Sequence, residues 1–184
     1  MILQHPFEAS NPKGSARLLH LSLPGSRLIT GEIFDELALQ AALWGSPDIS
    51  GHGRWQAVLL YPADFVAPSN GCGAVLIDTP DASAAVVQGD RCLVVLDGTW
   101  RQSRAILRGN PLLQTLPRLA LQPSAPSRYT VRKAHKPNQL SSLEAACAAL
   151  SQLEGTPEKF YSLLTAFDGF VAQQLRYRTG HWVD

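Results

Sequence analysis

Along the chain, short runs rich in Val, Leu and Ile alternate with segments whose apolar residues recur at helical spacing, the pattern of an α/β domain with a mostly parallel sheet flanked by helices. Strands are predicted at Ser26–Thr30, Gln56–Tyr61, Gly73–Asp78, Cys92–Asp97 and Arg118–Gln122. Three have near-continuous apolar centres: Val58-Leu59-Leu60, Ala74-Val75-Leu76-Ile77 and Leu93-Val94-Val95-Leu96. Strands covered on both faces have no wet side, so these three are expected in the middle of the sheet. A helix is predicted over Glu32–Trp44 with Phe34, Leu37, Ala41 and Trp44 inward. Two more begin with capping boxes, Thr99-Trp100-Arg101-Gln102 and Ser141-Ser142-Leu143-Glu144. The first should stop near Arg108, before Gly109 and Pro111, and the second lays Leu143, Ala146, Cys147, Leu150 and Leu153 on one stripe. A last helix starts at Thr156-Pro157 and carries Phe160, Leu163, Leu164, Phe167 and Phe170 into the core. Gly51–Arg54 and Ala67–Gly73 read as loops, and Thr115–Arg128, with three prolines, as a short strand and a stiff connection.

Composition places this pattern in one self-sufficient domain over residues 1–184, since 45% hydrophobic residues can bury enough surface to offset ordering entropy. The start of the chain lacks the basic and apolar regions of a signal peptide, and no apolar run is long enough to span a membrane; a cytoplasmic monomer without membrane partners is expected. Cys72, Cys92 and Cys147 are dispersed, and so are the five histidines, so no disulfide framework and no metal are expected.

Charge changes the picture more. The total is only +1, yet between Asp97 and Pro137 eight of the 16 Lys and Arg stand against one acid, a local +7 that leaves −6 for the remainder. Concentrated charge holds a polyanion whatever the net value, which points to nucleic acid rather than a merely solvated face. On the helix after Thr99, Arg101, Arg104 and Arg108 share one face while Trp100, Ile106 and Leu107 lie on the adjoining apolar one. Without acids at i, i+4, these arginines suit phosphate contacts.

Candidate chemistry centres on Asp97-Gly98-Thr99-Trp100. A buried strand delivers Asp97 to its carboxyl end and turns at once into a capped helix, where open α/β sheets bind ligands. Gly98 allows close backbone approach, and Trp100 is either a stacking surface or an anchor for its helix. A further cluster, Tyr129-Thr130-Val131-Arg132-Lys133 followed by Leu140-Ser141-Ser142-Leu143-Glu144, joins a basic pair to a second helix start whose amides could hold a carboxylate.

In order and wording these motifs resemble the DTW-domain family, related to the SPOUT-class RNA-modification enzymes. The resemblance runs through His5-Pro6-Phe7-Glu8, Ala16-Arg17-Leu18-Leu19, Leu59-Leu60-Tyr61-Pro62, Leu96–Trp100, Tyr129–Lys133 and Leu140–Ala145. Family members often carry Asn-Thr-Gly and Leu-Ser-Thr where this chain has Lys13-Gly14-Ser15-Ala16 and Leu140-Ser141-Ser142. The resemblance implies transfer of the 3-amino-3-carboxypropyl group of S-adenosylmethionine to N3 of a tRNA uridine, and a trefoil knot at the cofactor site. It implies cofactor contacts from Leu60, Tyr61, Pro62, Asp97, Gly98, Thr99, Trp100, Leu140, Ser141, Ser142 and Glu144, with Asp97 as proton acceptor or partner of the cofactor's ammonium. Arg17, Arg101, Arg104, Arg108, Arg132 and Lys133 are assigned to RNA phosphate or the cofactor's carboxylate. An RNA methyltransferase using the same cofactor and a non-catalytic RNA-binding module are the alternatives.

Overall fold

The computed structural model describes residues 1–45, 55–62, 91–121, 127, 129 and 140–179. Among these residues five parallel strands form one sheet: β1 (Ile2–Gln4), β2 (Leu28–Thr30), β3 (Gln56–Leu60), β4 (Arg91–Asp97) and β5 (Arg118–Leu119), in the order β2-β1-β4-β3-β5. The helices are α1 (Pro6–Ala9), α2 (Ser15–Ser22), α3 (Glu36–Trp44), α4 (Trp100–Gly109), α5 (Pro111–Gln114), α6 (Ser142–Glu154) and α7 (Tyr161–Thr179), with a 3-10 turn at Pro157–Phe160 leading into α7. The α/β class with a parallel sheet is as the sequence reads. The strand expected at Gly73–Asp78, the loops at Gly51–Arg54 and Ala67–Gly73, and segments through which a knot would pass lie outside the described residues.

The apolar runs explain the layering. Alternate residues of β4 feed two cores on opposite faces of the sheet: Leu93 and Val95 pack with Leu19, Leu143, Cys147 and Phe167, while Val94 and Leu96 pack with Leu39, Leu43, Ile106 and Leu107. Helices α2, α6 and α7 therefore cover one face, and α3, α4 and α5 the other. The central β4 and its neighbour β3 are two of the three apolar runs predicted to lie inside; the third, at Ala74–Ile77, falls outside the described residues.

Three expectations need correction. The strand β1 was not anticipated: Ile2-Leu3-Gln4 is too short to show a period, yet it is held between β2 and β4 and all three residues are buried. The helix expected from Glu32 begins at Glu36, capped by Asp35, whose Oδ1 accepts from the Ala38 amide at 2.8 Å. Its buried face is Leu39 and Leu43, and Leu37 is exposed, because the sequence ELALQAALW is apolar on too many sides for its period to choose a face. Gly109 does not stop α4 in a left-handed turn but lies within it. Asn110 ends that helix, its buried amide donating to the Ile106 carbonyl at 2.6 Å and the Glu32 carbonyl at 2.8 Å while its oxygen accepts from the Phe34 amide at 2.9 Å.

Candidate functional site

Parallel strands bring all their carboxyl ends to one rim, and there β3, β4 and β5 surround a cavity of about 300 Å³. Leu60, Tyr61 and Pro62 come from the end of β3, Val95, Leu96 and Gly98 from β4 and its turn, and Leu119 and Leu121 from the end of β5 and just beyond it. Trp100 and Ser103 of α4, and Leu140, Ser142 and Ala145 at the start of α6, close it. The volume sits at the lower end of the range for small-molecule sites, and the lining is mostly apolar with a few hydroxyls. The Trp100 ring meets Tyr61 edge-on, 6.1 Å between centroids at 76°, and the buried Arg118 guanidinium lies 5.9 Å from the Tyr61 ring.

Both predicted capping boxes form at this rim. In α4, Thr99 Oγ1 accepts from the Gln102 amide at 3.3 Å and Gln102 Oε1 from the Thr99 amide at 2.6 Å. In α6, Ser141 Oγ accepts from the Glu144 amide at 3.2 Å and Glu144 Oε2 from the Ser141 amide at 2.8 Å. Gly98 gives the first box room: a Cβ there would stand a tight 3.0 Å from Gln102 Cβ.

Asp97 is 6% exposed and does not line the cavity. Its Oδ1 accepts from Ser142 Oγ at 2.6 Å, and its Oδ2 from Gln4 Nε2 at 3.0 Å. Register explains the second contact, since Gln4 and Asp97 are Cα partners on adjacent strands, and the His5 amide adds a bond to the Asp97 carbonyl at 3.0 Å. The carboxylate is thus clamped by two neutral donors, one of which, Ser142, belongs to the cavity wall.

Of the residues singled out in the sequence, Leu60, Tyr61, Pro62, Gly98, Trp100, Leu140 and Ser142 converge on the cavity; Asp97, Ser141 and Glu144 are buried beside the lining residue Ser142, and Thr99 is exposed at the start of α4. Arg101, Arg104 and Arg108 are exposed on α4, and Arg17 is exposed on α2, all outside the cavity lining. Arg132 and Lys133 lie outside the described residues. Arg118, counted within the basic segment, is 3% exposed and so is no part of a phosphate-facing surface. Missed were Gln4 and the lining residues Val95, Leu96, Ser103, Leu119, Leu121 and Ala145. Ser103 alone carried a local signal, one turn beyond Thr99 on the capped helix. Among the described residues no group of three or more His, Cys, Asp or Glu could hold a metal, and no helix is long and apolar enough to cross a membrane.

Residues 1–175 match the family profile described as the DTW domain. The chain is 32% identical over 177 residues to tRNA-uridine aminocarboxypropyltransferase 2 of Drosophila melanogaster, an alignment covering 95% of this chain and 64% of that protein. It is 30% identical over 178 residues to the protein of the same name in Mus musculus and 27% over 179 residues to that in Macaca fascicularis, each alignment covering 96% of this chain and 54% of the relative. The chain therefore spans between half and two thirds of the length of these relatives. No solved structure matches it. The chain belongs to the DTW-domain family.

Proposed function

Taking that membership as premise, we propose that this protein transfers the 3-amino-3-carboxypropyl group of S-adenosylmethionine to N3 of a uridine in tRNA, releasing methylthioadenosine. The observation that carries the reading is the juxtaposition at one rim of a largely apolar cavity, a clamped carboxylate behind its wall, and an exposed row of arginines on the helix that the same turn begins. The relatives named as tRNA-uridine aminocarboxypropyltransferases supply the reaction class.

The cavity's chemistry fits such a donor. Leucine walls with Tyr61 and Trp100 offer apolar and aromatic surface to a purine, and the Ser103 and Ser142 hydroxyls offer sparse polar contacts. S-adenosylmethionine, when bound, supplies a carbon made electrophilic by the neighbouring sulfonium. Leu60, Tyr61, Pro62, Gly98, Trp100, Leu140 and Ser142 hold it, with Thr99, Ser141 and Glu144 fixing the two helix starts that frame it. Asp97 serves the site either as acceptor of the N3 proton or as counter-charge to the cofactor's ammonium. Arg101, Arg104 and Arg108, with Arg17, Arg132 and Lys133, hold RNA phosphate. Most of the acceleration comes from alignment of the reacting atoms in a water-poor enclosure. The proposal includes a single domain over residues 1–184, acting as a cytoplasmic monomer without metal and without membrane or obligate protein partners.

The test is incubation with S-adenosylmethionine and unmodified tRNA transcript, followed by digestion to nucleosides. Aminocarboxypropyluridine with equimolar methylthioadenosine supports the proposal. S-adenosylhomocysteine with a methylated nucleoside would replace it by a methyltransferase, and no product with any RNA would leave an RNA-binding module.

A further inference from the structure

The clamp on Asp97 has a polarity. A serine hydroxyl owns one hydrogen, and the hydroxyl of Ser142 gives it to Asp97 Oδ1 at 2.6 Å, because an ionised carboxylate can only accept. What Ser142 retains for the cavity it lines is oxygen lone pairs. Asp97 is 6% exposed, is absent from that lining, and has its other oxygen held by Gln4 Nε2 at 3.0 Å. A ligand group in the cavity therefore meets the carboxylate's influence through Ser142, as an acceptor. An acceptor on a leucine-rich wall selects a hydrogen-bond donor, N–H or O–H, over an acceptor. The uracil ring of a uridine carries a single N–H, at N3, whereas cytosine has no hydrogen on N3.

We propose that Ser142 and Asp97 form a two-link proton relay serving the uridine N3, with Ser142 the residue that touches the base and Gln4 a positioning residue that holds Asp97 toward it. This rests on the aminocarboxypropyl-transfer reading above. In the step, N3 keeps the electron pair of its N–H bond and uses it to bond carbon, that carbon releases its bond to sulfur, and sulfur keeps the pair. The N3 proton goes to Ser142 Oγ while the Ser142 proton goes to Asp97 Oδ1, leaving a neutral acid that returns its proton to water after product leaves. The relay also rejects cytidine, whose N3 offers nothing for Ser142 to accept.

Ser142→Ala tests it, with Ser142→Thr as the variant that keeps a hydroxyl and circular dichroism as the check on folding. At neutral pH, Ser142→Ala should lower single-turnover rate by roughly 100-fold or more, the range of a lost general base, and Ser142→Thr should restore most of it. Calorimetric affinity for tRNA should stay within about twofold of the parent, and any loss of affinity for S-adenosylmethionine, whose cavity Ser142 lines, should be far smaller than the loss of rate, since the lost contact matters chiefly to a proton in flight. The deficit should narrow as pH rises, and also with transcript containing 5-fluorouridine, whose N3–H is more acidic, because a uridine that sheds its proton unaided needs no acceptor. Combined with Asp97→Asn, which keeps the shape but cannot take a proton, it should be no slower than the worse single variant.

A deficit that is constant across pH and substrate, or a loss of cofactor affinity in proportion to the loss of rate, would overturn the relay and make Ser142–Asp97 a cofactor anchor. Turnover of Ser142→Ala within about threefold of the parent would also overturn it while leaving the reaction assignment standing. A parent protein that makes no product overturns the reaction assignment itself, and the relay with it.

Discussion

Helices α4 and α6 start at the same rim with the same device, a hydroxyl and an amide or carboxyl side chain trading bonds across four residues, yet they are used in opposite ways. The α4 box is in the open: Thr99 is exposed, Gln102 is neutral, and the helix beyond turns Arg101, Arg104 and Arg108 to solvent. The α6 box is buried, with Ser141 at 9% and Glu144 at 7% exposure, and its helix runs into the core through Leu143, Ala146 and Cys147. Glu144 also accepts from Ser127 Oγ at 2.7 Å, and the Tyr129 amide in turn donates to Ser127 at 3.0 Å. A local motif thus acquires its role from what surrounds it. Outward, it presents a cationic stripe to solvent. Inward, it fixes Ser142 against Asp97 with little freedom.

The largest test of this contrast is Glu144→Ala. It strands the buried Ser141 amide and removes the acceptor of the half-buried Ser127 hydroxyl, and should cost on the order of 2–3 kcal/mol in urea denaturation. An effect no larger than that of Gln102→Ala would break the comparison.

Next comes the pH response of α6. Burial, and then the charge of Glu144, push the Cys147 thiol up to about 11 from 9.0. Between these values the unfolded chain has lost this proton while the folded chain keeps it, so the thiol's contribution is whole below pH 9 and declines as pH rises toward 11. Stability should fall by on the order of 2 kcal/mol across that window through this group alone, and Cys147→Ala should flatten the slope relative to the parent. An identical slope in the variant would place the thiol in a wetter setting than its 1% exposure indicates.

The third test is on the outward helix. Arg101→Gln, Arg104→Gln and Arg108→Gln together should weaken tRNA binding by roughly tenfold or more at moderate salt and reduce the slope of log affinity against log salt by about 2–3. Affinity for S-adenosylmethionine should not change, because none of the three lines the cavity. Smallest is Gln102→Ala, a solvent-side cap worth about 0.5–1 kcal/mol, with little effect on the chemistry expected.

The part of this plan that was legible in the sequence is the local part. Leu93-Val94-Val95-Leu96 running into Asp97 and a Thr-x-x-Gln box defined a buried strand, its carboxyl end and the helix after it, and Ser141-x-x-Glu144 did the same for α6. What could not be read is what depends on pairing between distant segments. Gln4 meets Asp97 across 93 positions because two strands lie in register, and β1 itself is only three residues long. Leu119 and Leu121 reach the cavity from the end of the two-residue strand β5 and just beyond it, and no local pattern reports its place beside β3. Arg118 shows the converse: it adds to the charge of the basic segment, yet its guanidinium packs over Tyr61 in the interior.

The central claim is that the cavity at the end of β4 delivers the aminocarboxypropyl arm of S-adenosylmethionine, and not its methyl, to uridine. Two parallel reactions with tRNA transcript test it, one with label in the aminocarboxypropyl carbons and one with label in the methyl group. The account predicts acid-precipitable label in RNA from the first, eliminated by Asp97→Asn, and none from the second. Label entering RNA from the methyl group instead would contradict it.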